Sequence, residues 1–311
     1  MTNFYMMVGL PGSGKSYYCN QLGCEVVSSD AIREELFGDV NDQTHNNEVF
    51  NEVHNRIHNF LKSEIDCCYD ATNLSRKRRR AFLNTIPKDV YKTAIMIVRS
   101  FDECVKNNNN RDRVVPVEVI ERMFKHLTIP TLEEGFDEIR FIIEHDEDFA
   151  KNVTVTVGYN QDNPNHTLTL NSHMLKACQY PSTIKDSLTK EEIDILTLAC
   201  FYHDIGKPVC KTYTLLSGKE DDHAHYYNHA EVGAYLFLTY CFDNITITRE
   251  NRFPSAKKHW ATFNDALIAE LIRAHMDFYG DENCLEKYKA THGEQFAKLL
   301  GIVHDADMNA H

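Results

Sequence analysis

"GLPGSGKS", Gly9 to Ser16, directly follows the apolar run Phe4-Tyr5-Met6-Met7-Val8, and its reading decides the fold of the first half of the chain. It fits G-x-x-x-x-G-K-[ST]. In that pattern glycines let successive backbone N–H groups turn inward around phosphate oxygens, the lysine neutralises β/γ-phosphate charge, and the final hydroxyl ligates Mg²⁺. A strand before it and a helix opening at Lys15-Ser16 supply the expected context. Gly9, Gly12, Ser13, Gly14, Lys15 and Ser16 are therefore expected to hold a nucleotide, with ATP and Mg²⁺ as cofactors. The competing reading is a Gly-rich turn without a ligand.

Outward from this loop, apolar runs at 25–28, 66–70 and 93–98 alternate with helical periodicity at 31–37, 49–61 and 78–83. Short buried strands alternating with helices predict a parallel α/β sheet flanked by helices. Pro116 suits the first turn of a helix running to about His126. "TLEEGFDEIRFIIE" (Thr131–Glu144) reads as a closing helix. The charged stretch "EHDEDFAKN" breaks the pattern, which places a boundary near 150 and gives domains at 1–150 and 151–311. Beyond it strand signals fade. Helical stretches around 170–180, 190–206, 226–241, 263–276 and 286–309 predict an all-α second domain.

The 311 residues suffice for about two domains. No apolar run is long enough to cross a bilayer and the N-terminus lacks the features of a secretory signal, so no membrane partner is expected. The ten cysteines are scattered without CxxC spacing, as expected for reduced thiols in a cytoplasmic protein. Net charge is −13, and the halves carry 18 basic against 25 acidic and 15 against 21 residues. Neither half offers the basic stripe that grips a long duplex. A nucleic-acid substrate would be held at one end by a few local arginines.

Three segments after the loop suggest transfer to an acceptor. In "SSDAIREEL", Asp30 follows a strand, with Arg33 one helical turn on. Asp30 either takes the proton of an attacking hydroxyl while Arg33 holds a neighbouring phosphate, or caps its helix. In "YDATNLSRKRRR", Asp70 either orients Arg33 or serves the metal, Asn73 either meets substrate or caps, and residues 76–80 form a basic cluster that is either a solvated face or a binding site. "NNNNRDRVVP" reads as a lid whose Arg111 or Arg113 closes on the transferring phosphoryl group, or as a polar loop.

The second half holds eleven of the sixteen histidines. His173, adjacent His203-Asp204, His229, His275 and the tail "HDADMNAH" offer imidazole and carboxylate ligands without cysteine. That set suits Mn, Ni, Zn, Fe or Mg rather than a structural zinc site. Helices bearing these residues would turn them inward together.

Two resemblances follow. "GLPGSGKS", "SSDAIREEL", "DATNLSRKRRRAFL", "RDRVVPVEVIERM" and "IPTLEEGFDEI" come in the order of the 5′-kinase module of phage-type polynucleotide kinases. That resemblance implies Lys15 on the ATP phosphates, Asp30 as general base toward a 5′-OH, Arg33 as clamp on the acceptor phosphate, and Arg111 as lid arginine, with Arg113 its competitor. "NPNHTLTLNSHML", "FYHDIGKP", "NHAEVGAYL", "LIRAHMD" and "HDADMNAH" resemble the HD phosphohydrolase superfamily. This implies a divalent metal held by His173, His203, Asp204 and a closing Asp307 in preference to Asp305. It also implies a second metal or phosphate site at His229 and His275, and Lys207 on a substrate phosphate. Joined, the halves resemble a fused end-healing enzyme acting on RNA or DNA ends, upstream of an RNA ligase and in host cytoplasm if phage-encoded. The alternatives are a small-alcohol or nucleoside kinase joined to a nucleotidase or signalling-nucleotide hydrolase, and an ATP-binding regulator with an inert second half. Only four residues follow Asp307, leaving little to steady the last helix.

Overall fold

The computed structural model describes residues 1–111, 113–144, 151–164, 166–250, 260–281 and 283–310. In chain order the elements are β1 (Asn3–Val8), α1 (Lys15–Cys19), β2 (Glu25–Ser28), α2 (Ser29–Phe37), α3 (Asn46–Lys62), β3 (Cys67–Asp70), α4 (Arg76–Leu83), β4 (Tyr91–Arg99), α5 (Phe101–Asn109), α6 (Val117–Lys125), β5 (Glu138–Glu144), α7 (Lys151–Thr154), α8 (Leu170–Thr183), α9 (Lys190–Tyr202), α10 (Lys207–Cys210), β6 (Thr212–Thr214), β7 (Glu220–His225), α11 (His229–Leu238), β8 (Ile245–Thr248), α12 (Trp260–Ala274), α13 (Cys284–His292) and α14 (Glu294–Met308). Two compact units emerge: Met1–His145 with Asp243–Asn251, and Asp146–Phe242 with Arg252–His311. The boundary expected near 150 falls in residues 145–150, outside the described residues.

The first unit is built on a sheet of order β2-β3-β1-β4-β5-β8. Its first five strands run parallel, as the alternation of apolar runs and helices requires. Phe4, Met6, Met7, Val8, Cys67, Cys68 and residues 94–98 are buried, the near-continuous apolar character expected of strands covered on both faces. With β2 and β3 on one side of β1, and β4 and β5 on the other, the loop after β1 opens where the strand order reverses. That is the place where open α/β sheets hold ligands.

Two features correct the sequence reading. Residues 131–144 are not a helix: a 3-10 turn at Leu132–Glu134 ends at Gly135 (φ 113°), and Glu138–Glu144 then pairs in parallel with β4. Glycine adopts that left-handed conformation without the steric cost of a Cβ, and Ile139, Phe141, Ile142 and Ile143 suit a strand. The second feature is β8, which adds antiparallel to β5, Ile139 opposite Ile247, although its sequence position suggested the second half.

The second unit is helical, with one two-stranded hairpin, β6–β7, inserted between α10 and α11. The helix expected at 286–309 is two, α13 and α14, broken at Gly293 (φ 91°). All ten cysteines are free thiols, eight of them buried. Among the described residues no helix is long and apolar enough to cross a membrane.

Candidate active sites

The phosphate loop owes its path to close backbone packing. A Cβ on Gly12 (φ 77°) would lie 2.0 Å from the Cys104 carbonyl oxygen, so only glycine lets α5 pack here. Asn107 Nδ2 donates to the Gly12 carbonyl at 3.2 Å. Lys15, buried, donates to the Leu10 carbonyl at 2.8 Å. Burial lowers its pKa, partly opposed by the Asp70 carboxylate. Ser16 Oγ donates to Asp70 Oδ2 at 2.8 Å, so Asp70 stands beside the hydroxyl that closes the phosphate-loop motif. A cavity of about 590 Å³ opens here, with Gly12, Gly14, Lys15 and Ser16 in its wall alongside Arg99 and Arg111. Gly9 lies against the fully buried Ser13, whose Oγ a Cβ at position 9 would meet at 2.7 Å.

A second cluster gathers at the end of β2. Ser28 caps α2 by accepting from the Ala31 N–H, which leaves the Asp30 carboxylate to other partners. Arg33, 3% exposed, donates from Nη1 to Asp30 Oδ1 at 3.2 Å and from Nη2 to Asn46 Oδ1 at 2.7 Å. Burial pulls its pKa down while Asp30 raises it. Arg113 reaches the same Asp30 oxygen and is not among the residues lining the cavity. Arg111 does line it, with Nε and Nη2 donating to the Arg113 carbonyl at 3.3 and 3.2 Å. The two arginines therefore separate.

Asn73 and part of the basic cluster also take partners inside the fold. Asn73 spends its amide on the Met7 carbonyl at 2.9 Å, fixing the turn after β3. Within the basic cluster Arg79 is 1% exposed and forks onto Glu134, at 2.7 Å from Nε and 2.6 Å from Nη2. Arg76 also meets Glu134, at 3.4 Å. Lys77, Arg78 and Arg80 alone of the five are exposed.

In the second unit six side chains converge. His173, His203, Asp204 and Asp307 form one buried group, and Asp204, His229 and His275 another, the candidate ligand atoms of each lying within 4.8 Å of one another. Asp204 bridges them: its Oδ2 lies 3.3 Å from both His173 and His203 Nε2, and its Oδ1 lies 3.2 Å from His229 Nε2. Asp307 Oδ1 completes the first group, 3.1 Å from His173 Nε2. His203 directly follows α9, His229 opens α11 and His275 opens a 3-10 turn. Each sends Nδ1 to the carbonyl three residues earlier: Cys200 at 2.7 Å, Tyr226 at 2.7 Å and Ile272 at 2.6 Å. A carbonyl only accepts, so each Nδ1 carries a proton and Nε2 is the nitrogen turned to the centre, the orientation of metal-ligating histidines. A Cβ on Gly206 would lie 2.2 Å from the His229 carbonyl oxygen, so this glycine lets the turn after His203-Asp204 meet α11.

Burial and the neighbouring charges set the titration of the cluster in opposite directions. Burial opposes charge on His203, yet Asp204 and Asp307 outweigh it and hold its pKa at about 10. Burial, His203 and His229 push His275 down to about 3. Burial would raise the Asp204 pKa, but Lys207 and His203 pull it well below the usual carboxylate range.

Comparison with known proteins follows this division. A family model described as an AAA domain matches residues 4–130, and one described as an HD domain matches residues 170–308. The chain joins a P-loop kinase-like domain to an HD domain. Similar solved structures include a chain of the Pnkp1/Rnl/Hen1 RNA repair complex, 23% identical over 39% of this chain and 42% of that one, with a TM-score of 0.36. A second structure of the Pnkp1/Rnl/Hen1 complex is 24% identical over 37% and 40%, with a TM-score of 0.32. A gluconokinase from Sinorhizobium meliloti 1021 is 18% identical over 41% and 76%, with a TM-score of 0.29. The matched region spans less than half the length of the repair-complex chains. No curated protein matches.

A P-loop kinase-like domain implies a nucleotide and Mg²⁺, and an HD domain implies a divalent metal, for which the inward Nε2 atoms and carboxylates are a fitting nitrogen and oxygen donor set. Lys207 of the HD domain points into the fold rather than outward: Nζ lies 2.7 Å from Asp204 Oδ2 and donates to Gln161 Oε1 at 2.9 Å. Asp307 is buried in the cluster and Asp305 is exposed. The short tail does steady the last helix: Ala310 is fully buried, its N–H donates to the Asp307 carbonyl at 3.0 Å, and its carbonyl lies 3.4 Å from His173 Nδ1. Sequence reasoning missed Tyr279, whose hydroxyl donates to Asp307 Oδ2 at 3.2 Å, and Asn108, which clasps Val115. A tyrosine four residues after His275 and one asparagine among four carried no signal of these contacts.

Proposed function

We propose that the chain is a nucleic-acid end-healing enzyme, with an ATP-dependent 5′-hydroxyl kinase in the P-loop domain and a metal-dependent 2′,3′-phosphate phosphohydrolase in the HD domain. The observation that carries the reading is Asp30, a carboxylate flanked by two guanidiniums at the strand ends beside a phosphate loop. A hydroxyl placed there gives its proton to Asp30 as its oxygen bonds to the γ-phosphorus. The bond from that phosphorus to the β-phosphate oxygen breaks and ADP leaves. Lys15 and Arg111 balance the charge on the transferring group, and Ser16 with Asp70 would hold Mg²⁺.

In the HD domain, one divalent ion would be held by His173, His203, Asp204 and Asp307 and another by Asp204, His229 and His275. Such ions supply an activated water at neutral pH and positive charge for phosphoryl oxygens. Asp204 spans both positions, and Lys207 with Gln161 keeps its carboxylate in place. Breaks leaving 5′-OH and 2′,3′-cyclic phosphate ends need both activities before a ligase acts. RNA is the natural substrate on this reading, because a cyclic phosphate requires a 2′-OH.

One observation favours a second reading, a kinase for nucleosides or other small alcohols. Arg76 and Arg79 are engaged with Glu134, which leaves fewer cations for a polymer. The test is phosphate transfer from γ-labelled ATP to a 5′-OH RNA oligonucleotide, to DNA and to nucleosides, with Asp30→Asn as control. Label on the oligonucleotide that the variant abolishes supports end healing. Label on nucleosides alone establishes the second reading in its place.

A further inference from the structure

We infer that Arg113 is an acceptor-side residue: it binds the phosphate next to the attacking hydroxyl, while Arg111, two positions away, serves the nucleotide. The inference rests on the kinase reading above and deepens it.

The segment leaving α5 is held at both ends. At its start, the Gly12 contact with Cys104 and the Asn107 hydrogen bond pin the last turns of α5 against the phosphate loop. At its end, the buried Asn108 clasps Val115, donating to its carbonyl at 2.9 Å and accepting from its N–H at 3.1 Å. Between these anchors Arg111 turns to the cavity with its guanidinium against the Arg113 carbonyl. Arg113 turns instead toward the far side of β1, to Asp30 at the end of β2. The nucleotide cavity draws its wall from the loop after β1 and from the ends of β4 and β5. One short segment therefore sends one cation to each substrate.

At Asp30, Arg33 and Arg113 approach the same carboxylate oxygen. Arg33 is further committed to Asn46, and its side chain is 4% exposed against 20% for Arg113. A guanidinium carries five N–H donors in a fork that matches phosphate oxygens. A hydroxyl that reaches Asp30 brings its neighbouring phosphate within range of both forks, and Arg113 is the one open to solvent. Specificity for an acceptor bearing that phosphate then comes from a pair of arginines, one from α2 and one from the segment after α5.

The test compares wild type, Arg113→Ala, Arg113→Lys and Arg111→Ala in two measurements on the full chain. Titration with a fluorescent ATP analogue reads nucleotide binding whether or not transfer occurs. Steady-state transfer to a nucleoside and to the same nucleoside 3′-phosphate reads the acceptor. Arg113→Ala is expected to bind the analogue within about twofold of wild type and to raise KM for the phosphate-bearing acceptor about tenfold, equivalent to about 1.4 kcal/mol. Lysine at 113 recovers part of the loss. Arg111→Ala shows the reverse pattern. Analogue binding weakened as much in Arg113→Ala as in Arg111→Ala overturns the inference, as does an unchanged acceptor KM. A wild-type protein that binds the analogue and phosphorylates no hydroxyl instead overturns the kinase reading itself.

Discussion

Arg79→Ala separates the two roles open to the basic cluster at 76–80. Arg79 forks onto Glu134 and also donates to the carbonyls of Asn73 and Thr128, each at 2.9 Å. Truncation leaves Glu134, 3% exposed, with the Thr131 N–H at 3.0 Å and the longer Arg76 contact. Removing one partner of a buried ion pair costs about 3–5 kcal/mol, because the other charge stays buried. In a unit of this size each kcal/mol lowers Tm by about 2–4 °C, so the P-loop domain should melt about 10 °C lower. Lys77→Ala, Arg78→Ala and Arg80→Ala, on exposed residues, should each stay within about 0.5 kcal/mol of wild type. Calorimetry resolves the transition, and oligonucleotide binding at low salt is measured on the same samples. An Arg79→Ala protein that melts within about 2 °C of wild type but loses oligonucleotide affinity would refute the argument and return Arg79 to the nucleic-acid surface.

Gly206→Ala should reduce bound metal well below wild type while leaving nucleotide binding intact, since the added Cβ meets the His229 carbonyl oxygen at 2.2 Å; metal analysis of the dialysed protein checks it. Asp204→Asn should lower occupancy of both groups, whereas His275→Ala should spare the one containing His173 and His203; full retention of metal in the Asp204 variant would remove the bridging role. In chelator-stripped protein His203 contributes a pH window. Its folded pKa of about 10 lies above the unfolded value, so its stabilisation is complete below about pH 6.5 and is lost as pH rises toward 10. Asp204 and Asp307 are depressed in the folded state, so their contribution is present above about pH 3.9 and lost on acidification. A Tm of stripped protein that rises between pH 7 and 10 would contradict the first sign.

Local signals carried much of the architecture. The phosphate loop, its strand and the alternation that follows all depend on residues close in sequence, and the parallel sheet is legible from them. β5 was not, because "LEEGFDEI" mixes acidic and apolar residues at a spacing that also suits a helix. What decides it is the turn at Gly135 and two neighbouring strands, neither visible locally. Even less was available for β8: "ITIT" is four residues long, and its partner β5 lies about 100 residues earlier in the chain. Nonlocal pairing leaves almost no mark on the shorter partner.

The sites follow the same division between residue type and residue direction. His203-Asp204 announced a metal centre by chemistry, and the structure adds why those imidazoles face it. All three histidines with i−3 partners stand where helical structure begins or ends, and each is held there by the carbonyl three residues back. Cys200 and Ile272 lie in the last turns of α9 and α12, where carbonyls lack intrahelical N–H partners, so for His203 and His275 the Nδ1–H bond satisfies the backbone and orients the imidazole together. The Tyr226 carbonyl precedes α11 and also accepts the His229 N–H at 3.2 Å. Arg76 to Arg80 show the converse. Five consecutive positions sweep more than a full helical turn, so adjacency in sequence scatters them around α4. Arg76 and Arg79, three apart, fall on the face toward Glu134, and the remaining three face solvent. A charge run read as one surface is therefore two, and only the exposed one is available to a substrate.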